Sequence, residues 1–288
     1  MNHSRNFSRR RVLGATLAGV AAAALAPSTQ AAKPGGIALV LGGGGCRGFG
    51  HIGVLRALAR HGLKPDFVVG SSAGALVGAL HAAGMDADAI EREGARMSLN
   101  LLRDWIFPKL GLFGGARIRQ FVVDRVGERS IESLPVRYAA VATDLRSGAM
   151  RVIDRGDLGL AVQASSSAPG LIEPVRIDGR LYVDGNLSAP VPVAAARGLG
   201  ARRVIAVDVT FPPEQADLDD PFDALYQGFS ILTRRLALEA RRSADLVLAP
   251  MLPAHHDMKP ATREALVAAG EKSVEAALPR LRKAFAQG

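Results

Sequence analysis

"GGIALVLGGGGCRGFGHIGVL", residues 35 to 55, runs an apolar stretch into four consecutive glycines and then into a helical pattern. Glycine loses more conformational entropy on folding than any other residue, so four together need a compensating purpose. Something must come close to that backbone: a phosphate, or an oxygen that turns negative during a reaction. Gly43, Gly45 and Gly48 match G-x-G-x-x-G, the loop that cradles a dinucleotide pyrophosphate. With 32 glycines in 288 residues, that spacing arises too easily by chance to decide alone. A dinucleotide site also wants an acid at the end of the second strand, about 20 residues on. Asp66 has the spacing but stands before the strand "FVV", at its wrong end.

At the right end stands "GSSAG", Gly70 to Gly74, which reads G-x-S-x-G around Ser72 between a strand and the helix pattern "AGALVGALHAAG". A sharp strand-to-helix turn pushes a serine oxygen into the open, and the flanking glycines relieve the crowding. Consecutive strands joined by a helix are normally parallel neighbours. The glycine loop and Ser72 therefore emerge at one carboxyl edge, where open α/β sheets put their sites. The loop N–H groups can then point at an atom bound to Ser72, which favours the oxyanion.

A serine hydroxyl needs a base within hydrogen-bond reach. His51 and His81 fall within helices flanking the glycine loop and the serine turn, and His61 lies at a helix end; all three read as structural or solvated. His255 and His256, in "MLPAHHDM" after a late strand, complete a Ser-Asp-His order. The carboxylate candidate is Asp184 in "RLYVDGNLSAPVPV", held at a strand end; the same residues equally suit a plain type I′ hairpin turn. On the residues alone both choices stay open.

Alternating strand and helix patterns fill residues 36 to 285 as one domain, an α/β layer structure. Strands are expected at Ile37 to Leu41, Phe67 to Val69, Tyr138 to Thr143, Met150 to Asp154, Arg180 to Asp184, Val204 to Val209 and Leu246 to Ala249. Helices are expected over 49–61, 73–84, 86–98, 116–126, 158–164, 190–198, 222–242 and 262–285. Between two of these, "FPPEQADLDDPFD" carries three prolines and five acids and reads as an exposed loop.

Ahead of the domain, "SRRRVLG" leads into the apolar run Val12 to Leu25 and then "PSTQAA". Charged start, apolar middle and small-residue end make a secretory signal, with cleavage expected near Ala31. The run is shorter than the roughly 20 residues a bilayer needs, and Ser8, Arg9, Arg10, Val12 and Leu13 resemble a twin-arginine signal. Residues 1 to 31 thus read as an export signal, and the mature protein is expected in a bacterial periplasm. Their removal takes away Arg5, Arg9, Arg10 and Arg11 and no acid, so the formal charge falls from +9 to +5. A moderate basic excess suits an anionic lipid surface, whereas no Lys/Arg run with interleaved aromatics points to nucleic acid. A single cysteine, Cys46, excludes an internal disulfide.

Together the motifs resemble the patatin-like phospholipase family. "GGGGCRG" at Gly42 to Gly48 is similar to its oxyanion motif, "GSSAG" to its nucleophile motif, and "DGN" at Asp184 to Asn186 to its Asp-Gly-Ala/Gly motif. Further likeness lies in "ATDL" at Ala142 to Leu145, "ASSSAPGLIEPV" at Ala164 to Val175 and "SADLVLAP" at Ser243 to Pro250. The resemblance implies a three-layer α/β/α fold with a mainly parallel central sheet. It also implies a Ser-Asp dyad that hydrolyses lipid or phospholipid acyl esters in transient contact with a membrane surface, without histidine, cofactor or metal. Ser72 would be the nucleophile, Asp184 its base, raised toward neutrality by burial, and the N–H groups of Gly43, Gly44 and Gly45 the oxyanion hole.

The chain departs from the family pattern at Asn186, which replaces a small residue and either hydrogen-bonds Asp184 or crowds the site. Two other readings are an α/β-hydrolase with a Ser-His-Asp triad and an inactive lipid-binding envelope protein. Cys46 reads as a small apolar filler, and Arg47 as the holder of an anion or a loop carboxylate. "LNLLRDWIFPKLGLF", Leu99 to Phe113, suits a lid or a helix pair packed on the core. Arg234, Arg235, Arg241 and Arg242 at the end of the 222–242 helix suggest a solvated face.

Overall fold

The computed structural model describes residues 35–97, 109–213, 219, 221–252 and 259–286. The signal segment, most of the Leu99 to Phe113 stretch, part of the acidic loop and both His255 and His256 lie outside the described residues.

The run Ile37–Leu41 forms β1, every residue of it buried. Near-continuous apolar runs of this kind belong to parallel strands covered on both faces. β1 pairs in parallel with β2 (Phe67–Ser71) and with β7 (Arg203–Val207); β3 (Arg137–Asp144) extends the parallel set beside β2 and β8 (Leu246–Leu248) beside β7. Beyond β3 the sheet turns antiparallel through β6 (Arg180–Asp184) and β5 (Val175–Ile177), while β4 (Met150–Ile153) also pairs with β3. The order is β5-β6-β3-β2-β1-β7-β8. Leu41 sits opposite both Gly70 and Val207, so the residues that follow β1, β2 and β7 leave the sheet at one edge.

Side-chain alternation splits the core into two halves. Leu39, Leu41, Val68 and Ala140 face α1 (Phe49–Arg60), α2 (Ala73–Ala82), α3 (Ala87–Arg96), α4 (Ala116–Val126), α5 (Leu158–Ser165) and α8 (Pro260–Ala286). Ala38, Val40, Val69 and Val141 face α6 (Val193–Gly198) and Ala237 of α7 (Pro221–Arg241). The fold is therefore a three-layer α/β/α sandwich around a mainly parallel sheet.

One strand was not expected, and one expectation needs correction. β5, only three residues long, lacked a pattern to find; it forms because Asp178 and Gly179, with φ of 49° and 77°, make the left-handed turn of a β5–β6 hairpin. The arginines of α7 do not form one solvated face. Arg234 and Arg241 turn inward and donate to Oδ2 of Asp208 at 3.0 and 2.9 Å, because that carboxylate, just past β7, is fully buried and needs cations. Arg235 and Arg242 stay exposed.

α1 and α8 pack through glycine. A Cβ on Gly53 would fall on the Val267 carbonyl, and one on Gly270 on that of Gly50. Helix propensity favours alanine over glycine by about 1 kcal/mol, but collision with backbone costs about 1–3 kcal/mol or more. Gly53→Ala is therefore expected to lower the denaturant midpoint. Gly228→Ala in α7, whose Cβ meets nothing within 4 Å, is expected to raise stability by about 0.5–1 kcal/mol. A stabilising Gly53→Ala would contradict the α1–α8 contact.

Candidate active site

Ser72 sits between β2 and α2 with φ 51° and ψ −121°, a conformation that costs a non-glycine residue strain. The chain holds it there by crowding. A Cβ on Gly70 would strike the backbone of Ala75, and one on Gly74 the carbonyls of Leu41 and Gly42. Ser165 of α5 completes the clamp: its Oγ accepts from the Ser72 N–H at 2.9 Å and donates to Val141 O at 2.6 Å. In the sequence Ser165 stands out only as part of a family motif. Buried hydroxyls at a helix end leave no local pattern that says which backbone amide they serve.

Asp184 ends β6 and faces Ser72. The Ser72 Oγ donates to Asp184 Oδ2 at 2.7 Å, and the Asn186 N–H donates to Oδ1 at 2.8 Å. Its backbone is fixed as well, with its N–H on Ser167 O and its carbonyl accepting from Thr143 Oγ1, both at 2.9 Å. The residues after Asp184 form a 3-10 turn, Gly185–Leu187, and the hairpin alternative for this stretch gives way to that cap. Burial pushes the Asp184 carboxyl up to about 6, against the opposing pull of the Asn186 N–H and the Ser72 hydroxyl.

The Asn186 side chain, expected either to hydrogen-bond that carboxylate or to crowd the site, makes no hydrogen bond to it; of this residue only the backbone N–H does. Its Oδ1 lies 3.5 Å from Ser71 Oγ, and the amide packs over Gly43, where a Cβ would overlap it. Gly43 is thus required by Asn186, and the substitution in the Asp-Gly-Asn turn is accommodated by the glycine loop.

Within that loop the amides divide. The Gly43 N–H donates to Pro190 O at 2.9 Å, so it is already used, which corrects its expected place beside Gly44 and Gly45. The N–H groups of Gly44 and Gly45 have no acceptor among the described residues. Gly45 has φ 56° and open space where a Cβ would stand. The loop meets the serine turn at Gly48, whose Cβ would lie 2.8 Å from that of Ala73.

Buried His51 sets the loop from behind. Its Nε2 lies 2.6 Å from Gly42 O, and since a carbonyl only accepts, Nε2 carries the proton. Burial lowers its pKa to about 4, so the ring is neutral, and its Nδ1 has no partner among the described residues. The Gly42–Gly43 peptide is therefore pinned at its oxygen by His51 and at its nitrogen by Pro190 O. Arg47, buried, donates from Nε to Val209 O at 3.1 Å and stacks over Phe211. Cys46, the single cysteine of the sequence, is half-buried. His61 instead meets Glu275 at 2.9 Å. Among the described residues no group of three or more His, Cys, Asp or Glu side chains is placed to hold a metal.

A strained serine at the carboxyl edge of a parallel sheet, paired with a buried carboxylate beside a glycine loop, defines a class of three-layer α/β proteins. The model of the patatin-like phospholipase family matches residues 39–197, more than half of the chain, and the chain belongs to that family. It is 41% identical over 175 residues to an uncharacterized NTE family protein of Mycobacterium tuberculosis, covering 60% of this chain and 49% of that one. It is 38% identical over 208 residues to patatin-like phospholipase domain-containing protein 6 of Homo sapiens, covering 69% of this chain and 15% of the human one. The chain thus spans half or less of the length of these relatives. Among solved structures, VipD from Legionella pneumophila shares the fold, with a TM-score of 0.58 and 14% identity over 86% of this chain and 67% of that one.

Two measurements follow from the buried groups. The folded state binds the Asp184 proton more tightly than the unfolded chain, so stability falls as pH rises from about 4 through about 6. Asp184→Asn is therefore expected to be more stable than the parent at pH 8, by up to about 3 kcal/mol, with the gap closing by pH 4. A constant difference across that range in pH-resolved denaturant titrations would contradict the burial. His51→Leu, which leaves the Gly42 carbonyl unpaired, is expected to cost about 1–3 kcal/mol, and His51→Gln to recover part of it. Equal stabilities of the two variants would exclude the hydrogen bond.

Proposed function

We infer that this protein is a serine acyl hydrolase acting on lipid esters. The observation that carries the reading is the 2.7 Å hydrogen bond from Ser72 Oγ to a buried carboxylate whose pKa is raised to about 6. A base in that range stays ionised at neutral pH and can still take a proton, which an ordinary carboxylate near 4 does poorly.

Ser72 Oγ attacks the ester carbonyl as its proton passes to Asp184 Oδ2, and the carbonyl oxygen becomes an oxyanion facing the Gly44 and Gly45 amides. Collapse of the tetrahedral species breaks the acyl C–O bond. Asp184 returns its proton to the departing alcohol, leaving an acyl group on Ser72. Water then repeats the sequence, losing a proton to Asp184, and releases the fatty acid and the serine. The glycine amides supply charge stabilisation that grows only in the transition state, worth roughly 3–4 kcal/mol per donor. Family membership supports the lipid substrate. The signal-like start and twin-arginine pattern support export to a bacterial periplasm. Among the described residues no helix is long and apolar enough to cross a membrane.

The test is a set of three variants assayed on short and long acyl esters. Ser72→Ala and Asp184→Asn are each expected to lower kcat by at least about a thousandfold, whereas a His255→Ala, His256→Ala double variant keeps activity. Loss of activity in the histidine double variant would instead support the triad. The kcat/KM profile is expected to rise with pH through about 6 as Asp184 ionises, with roughly a tenth of the plateau left at pH 5. A flat profile from pH 5 to 8 would remove Asp184 as the base.

A further inference from the structure

The β5–β6 hairpin runs past the carboxyl end of β3, and a cavity of about 320 Å³ opens between its tip and the turn after Asp144. Three arginines line it, Arg146, Arg176 and Arg180, with Asp144 as the one acid and Leu181 as the one apolar side chain. That acid is already committed. Its Oδ1 accepts from Arg146 N, Ser147 N and Ser147 Oγ at 3.0, 2.9 and 3.0 Å, and its Oδ2 accepts from Arg180 Nη1 at 2.9 Å. Arg176 places one nitrogen on Gly179 O at 3.1 Å, and the Arg146 guanidinium has no partner among the described residues.

Three cations around one committed acid repel one another, and a concave wall concentrates their field. The ligand that relieves this is an anion with several acceptor oxygens, which the planar guanidinium fork fits best. Beside the cavity stand exposed apolar side chains. Leu145, whose N–H donates to Leu181 O, is 42% exposed, and Met150, opposite Thr143 on β4, is 38% exposed. A site for a free anion has no use for them, whereas a bilayer surface takes both charge and apolar contact. Arg180 and Asp184 lie four residues apart on the same face of β6, so the cavity stands about 13 Å beyond the dyad on the outer side of the sheet edge.

We propose that this arginine cavity binds phosphate, supplied by the headgroup of an anionic lipid, and so seats the protein on a membrane with the dyad toward the bilayer. The proposal rests on the lipid hydrolase reading for its biological setting but is read by binding alone.

The experiment uses full-length Ser72→Ala protein, chosen so that lipid turnover does not compete with binding, with and without the pair Arg146→Gln and Arg176→Gln. Both positions are exposed, and Arg180 is kept because it holds Asp144. Vesicles of phosphatidylcholine with and without phosphatidylglycerol are titrated at fixed ionic strength. Phosphatidylglycerol is expected to strengthen binding, and the double substitution to weaken that binding roughly thirtyfold. Arg280→Gln with Arg282→Gln, an equal charge loss on exposed α8 positions, is expected to leave it within about twofold. Equal weakening by both pairs, or none by the cavity pair, overturns the proposal. Binding of inorganic phosphate that needs Arg146 and Arg176, without any preference for phosphatidylglycerol vesicles, overturns the lipid as its source. In the Ser72 parent, soluble short-chain ester turnover is expected to be unchanged by the cavity pair. Absent turnover with intact vesicle preference would refute the hydrolase reading alone.

Discussion

A carboxylate sealed from water at the end of a strand is the constraint on which this site depends. Burying an ionised group without partners costs several kcal/mol or neutralises it. Asp184 stays ionised at neutral pH at a reduced cost through two donors, the Asn186 N–H and the Ser72 hydroxyl. These offset only part of the desolvation, which leaves the carboxyl near 6. It is therefore charged at neutral pH, poorly solvated and directed at a single hydroxyl. The stability lost by enclosing that charge is the source of its basicity.

The sheet exists at this edge to hold three short segments in register with that carboxylate. Parallel β1, β2 and β7 deliver the glycine loop, Ser72 and Asp208 to one rim, while the antiparallel β6 brings Asp184 to the same level opposite Ala142. The loop is fixed from outside: His51 and Pro190 grip one peptide, and Arg47 ties the following turn to Val209. What remains unclaimed among the described residues is the pair of amides at Gly44 and Gly45 beside the serine turn. Strain at Ser72 is supported in the same way, by glycines that admit neighbouring backbone and by the Ser165 hydroxyl. The Asp208 cluster plays a parallel structural part, since Arg234 and Arg241 fasten α7 to the far side of the same rim.

Much of this was legible because it rests on local rules. A five-residue apolar run and a G-x-S-x-G after a strand point to β1 and Ser72 without tertiary information, whereas the residues around Asp184 suit a hairpin turn equally well and only the family resemblance singles that acid out. The elements found from periodicity agree with the structure to within a few residues. What escaped depends on contacts between distant segments. Nothing near Gly43 in sequence says that Pro190 will take its N–H, and nothing near His51 says that it will meet a carbonyl nine residues back. Arg234 and Arg241 looked like surface charges because their partner, Asp208, lies on another element. β5 is too short to carry a period of two, and only its Asp-Gly turn and pairing with β6 make it a strand.

The most direct measurement is a crystal structure of the protein after reaction with a fluorophosphonate ester, whose tetrahedral phosphorus imitates the reacting carbonyl. Phosphorus is expected to be bonded to Oγ of Ser72, with its free oxygen within about 3 Å of the amides of Gly44 and Gly45. Attachment at another residue, or an oxygen turned away from the glycine loop toward solvent, would contradict it.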